Sequence, residues 1–257
     1  MDYTVSAVDR ALLLLEALSD LPDSGVSELA ERTGCTKSLT FRLLFTLEQR
    51  GFVSKDAARR TYTLGYRTML LGDQARRQSR LLNAAEPFMR ELNEELQENV
   101  LLMVRDGLDS ICIALKASVH PQRIFAEVGR RGPLHAGGGP KILLAFAPDE
   151  VQAAVLDGEL PSFTDATIDT RARLEQALEE IRRDGWTVSQ GELDFDKCSV
   201  AAPVRSGGGQ VVAALSVTGP ADRLAHALRN QTRDAIVSAA HRLSATLGHS
   251  GAVYNEG

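Results

Sequence analysis

The first residues whose types and spacing could do chemistry are Lys37, Ser38, Thr40, Phe41 and Arg42. They share a segment with Leu39, Leu43, Leu44 and Leu47, whose helical spacing makes a buried stripe and leaves the polar and aromatic members on the exposed side near the helix start. Such a face can read a nucleic-acid groove: Arg42 can fork onto a guanine edge, Lys37 and Ser38 suit phosphate oxygens, and Phe41 can press on a thymine methyl. Arg59 and Arg60 lie in a charged turn between two strand-like runs, FVSK and TYTLG, and would grip the phosphate backbone a second time. The competing reading is a solvated helix face in an all-helical subdomain.

Signatures of catalysis are missing. The chain has no GxSxG nucleophile elbow and no HExxH zinc motif, and AGGGPK lacks the spacing and the Lys-Ser/Thr ending of a phosphate-binding loop. His120, His135, His226, His241 and His249 are scattered, and Cys35, Cys112 and Cys198 form no CxxC pair. An enzyme, a metal site, a resident cofactor and a disulfide framework are therefore not expected.

The elements that must position these residues follow from periodicity. Val8, Ala11, Leu12, Leu15 and Leu18 predict an amphipathic helix over Ser6–Leu21; Ser27 is a candidate cap for a short second helix, Gly34 for a sharp turn, and Thr36 for the cap of a third helix running to about Arg50. Two helices joined by a tight glycine turn make a helix-turn-helix, and the hairpin after Gly51 makes its wing. A linker helix is expected over Tyr66–Leu82. Beyond it come a helix at Pro87–Gln97, strands near Val100–Arg105, Ile111–Lys116 and Arg123–Val128, and helices at Lys141–Phe146, Asp149–Leu156 and Arg171–Arg183. Strands near Trp186–Ser189, Ser199–Val204 and Val211–Thr218 and a helix over Ala221–Leu247 complete an α+β domain. The expected division is 1–65, a linker 66–82, a second domain 83–250 and a tail 251–257.

Charge supports this division. The chain of 257 residues is 44% hydrophobic and 25% charged, with a formal net charge of −5. That average hides a segregation: residues 1–35 carry seven acidic against two basic side chains, and residues 36–67 seven basic against two acidic. The basic segment is where a polyanion would dock. The opening MDYTVSAVDR lacks the basic and apolar regions of a secretory signal, and no apolar run reaches the roughly 18 residues needed to span a bilayer, so a cytoplasmic protein without membrane contact is expected.

VDRALLLLEAL and SELAERTGCTKSLTFRLLFTLEQRGFV resemble the N-terminal domain of the IclR family of bacterial transcriptional regulators, and GRRGPLHAGGGPKILLAF, KCSVAAPV and AALSVTGP resemble its second domain. The resemblance runs over nearly the whole chain. It implies a winged helix-turn-helix followed by a GAF-like or profilin-like effector-binding domain with a mainly antiparallel sheet. It also implies a homodimer or dimer of dimers on a palindromic double-stranded operator, with repression the expected sense and the linker helix as lever. The DNA contacts would fall on Thr36, Lys37, Ser38, Leu39, Phe41 and Arg42, with Arg59 and Arg60 in support. Leu39 and Thr40 depart from the family's usual threonine and small aliphatic residue, which bears on base preference.

By the same resemblance, a small-molecule effector, expected to be a carboxylate, would meet Ile124, Gly138, Gly139, Ser189, Cys198, Ser216 and Thr218. A helix starting at Gly139 or Pro140 offers unpaired N–H groups to an anion, and Ser216 and Thr218 share one face of a strand. Pro140 stands where the family usually has glycine, leaving Gly138 and Gly139 to donate. Ser189 stands where some relatives are acidic. Alternatives remain: Ser216 and Thr218 as solvent-facing strand residues, Cys198 as a buried structural thiol, and the helix-turn-helix as a protein-binding rather than DNA-binding module.

Overall fold

Alternation and helical periodicity produce the expected two kinds of architecture. A computed structural model describes residues 3–120, 127–224 and 226–250, arranged as two compact units divided between Ser79 and Arg80. The expected tail and Ile124 lie outside the described residues.

The first unit runs α1 (Ser6–Asp20), β1 (Ser24–Gly25), α2 (Val26–Arg32), α3 (Lys37–Gln49), β2 (Val53–Asp56), β3 (Thr61–Leu64) and α4 (Tyr66–Gln78). Leu14, Ala17, Leu18, Leu29, Leu44, Val53 and Tyr62 form its core. In α1 the expected Leu18 is buried and Leu15 packs against the core, but Val8 and Leu12 are exposed, and Leu14 and Ala17 face inward instead. The run of leucines at 12–15 offers an apolar residue in every direction, so packing rather than periodicity selects the face. Ser27 lies inside α2, whose N-cap is Gly25, because Ser24 and Gly25 pair with Tyr62 and Thr61 and complete a three-stranded antiparallel sheet with the wing. Gly34 takes the left-handed φ of +63° that the turn into α3 requires.

The helix expected over Tyr66–Leu82 stops at Gln78. Ser79 is extended (φ −72°, ψ 110°), and a new helix, α5, spans Arg80–Leu96 with Pro87 inside it. Leu81 and Leu82 pack on the core of the second unit together with Ala85, Met89 and Leu92, so their burial ties them to α5.

The second unit continues with β4 (Asn99–Asp106), β5 (Asp109–Lys116), β6 (Arg131–Pro133), α6 (Gly138–Ala145), α7 (Asp149–Leu156), α8 (Arg171–Asp184), β7 (Thr187–Gln190), β8 (Lys197–Arg205), β9 (Val211–Pro220) and α9 (His226–Thr246). Its six strands form one antiparallel sheet in the order β6-β5-β4-β9-β8-β7. Glu127 and Val128, at the end of the strand expected over Arg123–Val128, are not in a strand; the described strand nearest them is β6. Strand alternation divides the sheet cleanly. Val100, Leu102, Val200, Ala202, Val204, Leu215 and Val217 pack with α5 and α9, while Ala201 and Ala214 on the opposite face pack with α6 and α8. The architecture is α+β, with helices on both faces of an antiparallel sheet.

Candidate functional site

In the first unit the sequence-predicted DNA-reading residues come together at one helix start. Thr36 caps α3, its Oγ1 accepting the Leu39 N–H at 3.3 Å, which satisfies one orphan donor of the first turn. Lys37, Ser38, Phe41 and Arg42 are exposed and Leu39 is half-buried. Thr40 corrects the expectation. It is fully buried, and its hydroxyl donates to the Thr36 carbonyl at 3.1 Å, so it belongs to the core side. Phe45, which reading for buried leucines passed over, is 54% exposed one turn beyond Phe41; its i+4 spacing from Phe41 was the available signal.

The wing presents its arginines through a local device. Asp56 Oδ1 accepts the N–H groups of Ala58 at 2.8 Å and Arg59 at 3.1 Å, closing the turn, and Arg60 adopts a left-handed φ of 56°. Both arginines are exposed at the tip.

In the second unit Gly138, Gly139, Ser189, Cys198, Ser216 and Thr218 all border one cavity of about 500 Å³. Antiparallel register explains the convergence: Ser189 pairs with Ser199, Ser199 with Thr218, and Ser216 with Ala201 and Leu101. Three hydroxyls thus stand side by side on the α6 face, with Ser216 one step along. Ser199 was missed by sequence reasoning; the expected Cys198 beside it also borders the cavity. Alternation in β8 puts Cys198 on the face of Val200 and Val204, whereas Ser199 faces α6 and its Oγ accepts the Gly138 N–H at 3.1 Å. The run Ser199–Val204 is apolar after Ser199, so only the placed strand, through its period of 2, tells the two faces apart.

The glycines also have a packing reason. A Cβ on Gly138 would lie 2.9 Å from Ser199 Oγ and 3.3 Å from Ala201 Cβ, and one on Gly139 would lie 2.6 Å from Met103 Sδ. They are small so that α6 can start against the sheet. Nor are their N–H groups both available to a ligand. Gly138 donates to Ser199, Gly137 donates to Glu192 Oε2 at 2.9 Å, and Pro140 has no N–H, which leaves Gly139 as the open donor of the first turn.

Glu192 is therefore the anion at this helix start. It is buried, ion-paired through Oε1 with the equally buried Lys141, and held by the Thr167 hydroxyl, which donates to its carbonyl at 2.6 Å. Neither Glu192 nor Lys141 was expected from the sequence, because their separation of 51 residues leaves no local pattern. Leu101, Met103, Phe163 and Leu193 give the cavity apolar walls, and Arg130, Arg131 and Lys197 stand against Glu127 and Asp194 around it. Arg131 is engaged by Asp106 and Asp109, and Lys197 by Asp196. Cys112, also on the cavity, has its thiol pKa pushed up by burial, partly offset by its backbone hydrogen bond, and is a neutral weak donor. The arrangement suits a small molecule with an apolar body and a polar or anionic end that accepts from hydroxyls and the Gly139 N–H.

Among the described residues no group of His, Cys, Asp and Glu could hold a metal ion, and no helix is long and apolar enough to cross a membrane.

Comparison with known proteins places both units. Residues 7–57 match the family model of the IclR helix-turn-helix domain, and residues 74–245 match that of the bacterial transcriptional regulator IclR C-terminal domain. The chain is 30% identical over 244 residues to the HTH-type transcriptional regulator KipR of Bacillus subtilis, covering 95% of this chain and 97% of that one. It is 32% identical over 220 residues to the HTH-type transcriptional repressor AllR of Salmonella typhimurium, covering 85% and 81%. A crystal structure of an IclR homologue from Microbacterium hydrocarbonoxydans, complexed with 4-hydroxybenzoate, superimposes with a TM-score of 0.82 at 26% identity, covering 94% of this chain and 98% of that one.

Proposed function

The chain belongs to the IclR family of bacterial transcriptional regulators, and on that premise we propose that it is a repressor released or engaged by a small organic acid bound in its second unit. A regulator of this family binds DNA through its helix-turn-helix and is not an enzyme. The observation that carries the effector reading is a cavity bordered together by Gly138, Gly139, Ser189, Cys198, Ser216 and Thr218, from segments far apart in sequence. Its volume falls in the range of small-molecule sites. The aromatic acid bound by the Microbacterium relative supports an acid with an apolar body, and the 32% identity to the repressor AllR supports repression.

We further propose that the protein acts as a homodimer, or a pair of them, on a palindromic operator, since one recognition helix reads too few base pairs for useful specificity. Support comes from unpartnered apolar residues of the first unit. Val5 just before α1, Val8 and Leu12 on α1, and Tyr66, Met69 and Leu70 on α4 are all exposed, and α4 buries no side chain. A second copy is the occupant that would cover them.

The test is a thermal-shift screen of small carboxylic and aromatic acids, 4-hydroxybenzoate among them, against the full chain. An effector raises Tm with concentration, and Ser216→Ala with Thr218→Ala removes the rise. Retention of the full shift in that double variant would move the site elsewhere, and no shift with any acid would overturn the acid reading.

A further inference from the structure

The exposed face of α3 is more apolar at its centre than phosphate contact requires. With Lys37 at zero and about 100° per residue, Phe41, Phe45, Ser38 and Arg42 fall at roughly 40°, 80°, 100° and 140°. The buried and half-buried Leu39, Leu43, Leu47, Thr40 and Leu44 fill roughly 200° to 340°. Phe45 thus stands opposite the middle of the core-facing arc, 54% exposed, with Phe41 beside it at 49%. Two exposed phenyl rings at i and i+4 are neighbours on one helix face and form a joint apolar surface there. Lys37 and Arg42 flank them, and the basic wing belongs to the same unit, so the complementary surface is polyanionic at its edges and apolar between. A DNA major groove bearing thymine methyls has that composition. Glu48, at roughly 20° and one turn on, would repel phosphate, so the reading face ends at Phe45.

We propose that Phe45 is a specificity-determining residue which, with Phe41, reads the 5-methyl groups of two thymines in each operator half-site. The inference rests on the DNA-binding reading above. Four residues of helix advance about 6 Å, close to two base-pair steps of about 3.4 Å each, which sets the thymines roughly two steps apart with the guanine contacted by Arg42 next to them.

The experiment selects binding duplexes from a random pool with the full-length chain, then replaces each half-site thymine by deoxyuridine, which removes the methyl alone. Wild type is expected to lose about fourfold in affinity per methyl, the equivalent of ~0.8 kcal/mol, at two positions. Phe45→Ala abolishes the loss at one position and Phe41→Ala at the other, while Phe45→Leu keeps part of it. Low-salt binding to unrelated DNA checks that each variant is folded. Equal binding of thymine and uracil duplexes by wild type, or unchanged discrimination in Phe45→Ala, would overturn the proposal even where steep salt dependence leaves DNA binding intact. If no duplex is enriched and binding ignores salt, the DNA-binding reading fails and takes the proposal with it.

Discussion

Glu192 and Lys141 form an ion pair inside the second unit, each less than a tenth exposed, and the other carboxylate oxygen of Glu192 takes the Gly137 N–H at 2.9 Å. One carboxylate thereby ties the loop after β7 to the start of α6, on the wall of the cavity. Breaking a buried pair by removing one partner strands the other charge, at a cost of about 3–5 kcal/mol. Glu192→Gln and Lys141→Met should each lower the unfolding midpoint of the second unit strongly. The double replacement should cost less than the sum of the two, as measured by urea denaturation.

Gly138 and Gly139 separate folding from binding. An added Cβ at Gly138 meets Ser199 Oγ and Ala201 Cβ and displaces a hydrogen bond, whereas at Gly139 it meets the flexible end of Met103. Gly138→Ala is expected to cost about 1–3 kcal/mol of stability, as overpacking does. Gly139→Ala should cost less, because Met103 can swing away. Met103 lines the cavity, so the swing narrows it, and calorimetry should record weaker effector binding by Gly139→Ala at near-native Tm.

Gly65 joins the wing to α4 against the backbone itself. A Cβ there would lie 2.3 Å from the Gly51 carbonyl oxygen and 2.9 Å from the Phe52 carbonyl carbon, and the Gly65 N–H donates to the Phe52 carbonyl at 2.7 Å. No side chain can yield to make room. Gly65→Ala should therefore destabilise the first unit by several kcal/mol and abolish DNA binding, while leaving any effector-induced Tm shift of the second unit in place.

Thiol labelling reports the cavity. Cys35 is half-buried, whereas Cys112 and Cys198 are buried. Burial raises the Cys112 pKa, so less of it is thiolate at any given pH, and only the thiolate is alkylated. Mass spectrometry should show iodoacetamide on Cys35 first, with Cys112 reacting slowly near neutral pH and faster as pH rises. An effector in the cavity should slow Cys112 further.

Elements with a strong local pattern were legible in the sequence: the Thr36 cap, the stripe of α3, the wing and the alternation of β9. Convergence of Gly138, Gly139, Ser189, Ser216 and Thr218 came from the family resemblance, and strand register supplies its physical reason. Three features were not legible. The inward turn of Leu14 and Ala17 in α1 was hidden by a run of leucines without polar contrast. The role of the glycines depends on how closely α6 approaches Met103 and Ser199, a tertiary distance. The Lys141–Glu192 pair links residues with no shared local motif, and each alone reads as an ordinary surface charge.

DNA binding through the α3 face and the wing is the central claim, and a salt titration of operator affinity tests it most directly. Each phosphate neutralised contributes about −0.9 to the slope of log K against log salt, so contacts by Lys37, Arg59 and Arg60 in both copies of a dimer should give a steep negative slope. Arg42→Ala should weaken specific binding by roughly 1–3 kcal/mol with the fold intact. A slope near zero, or unchanged affinity in Arg42→Ala, would contradict the account.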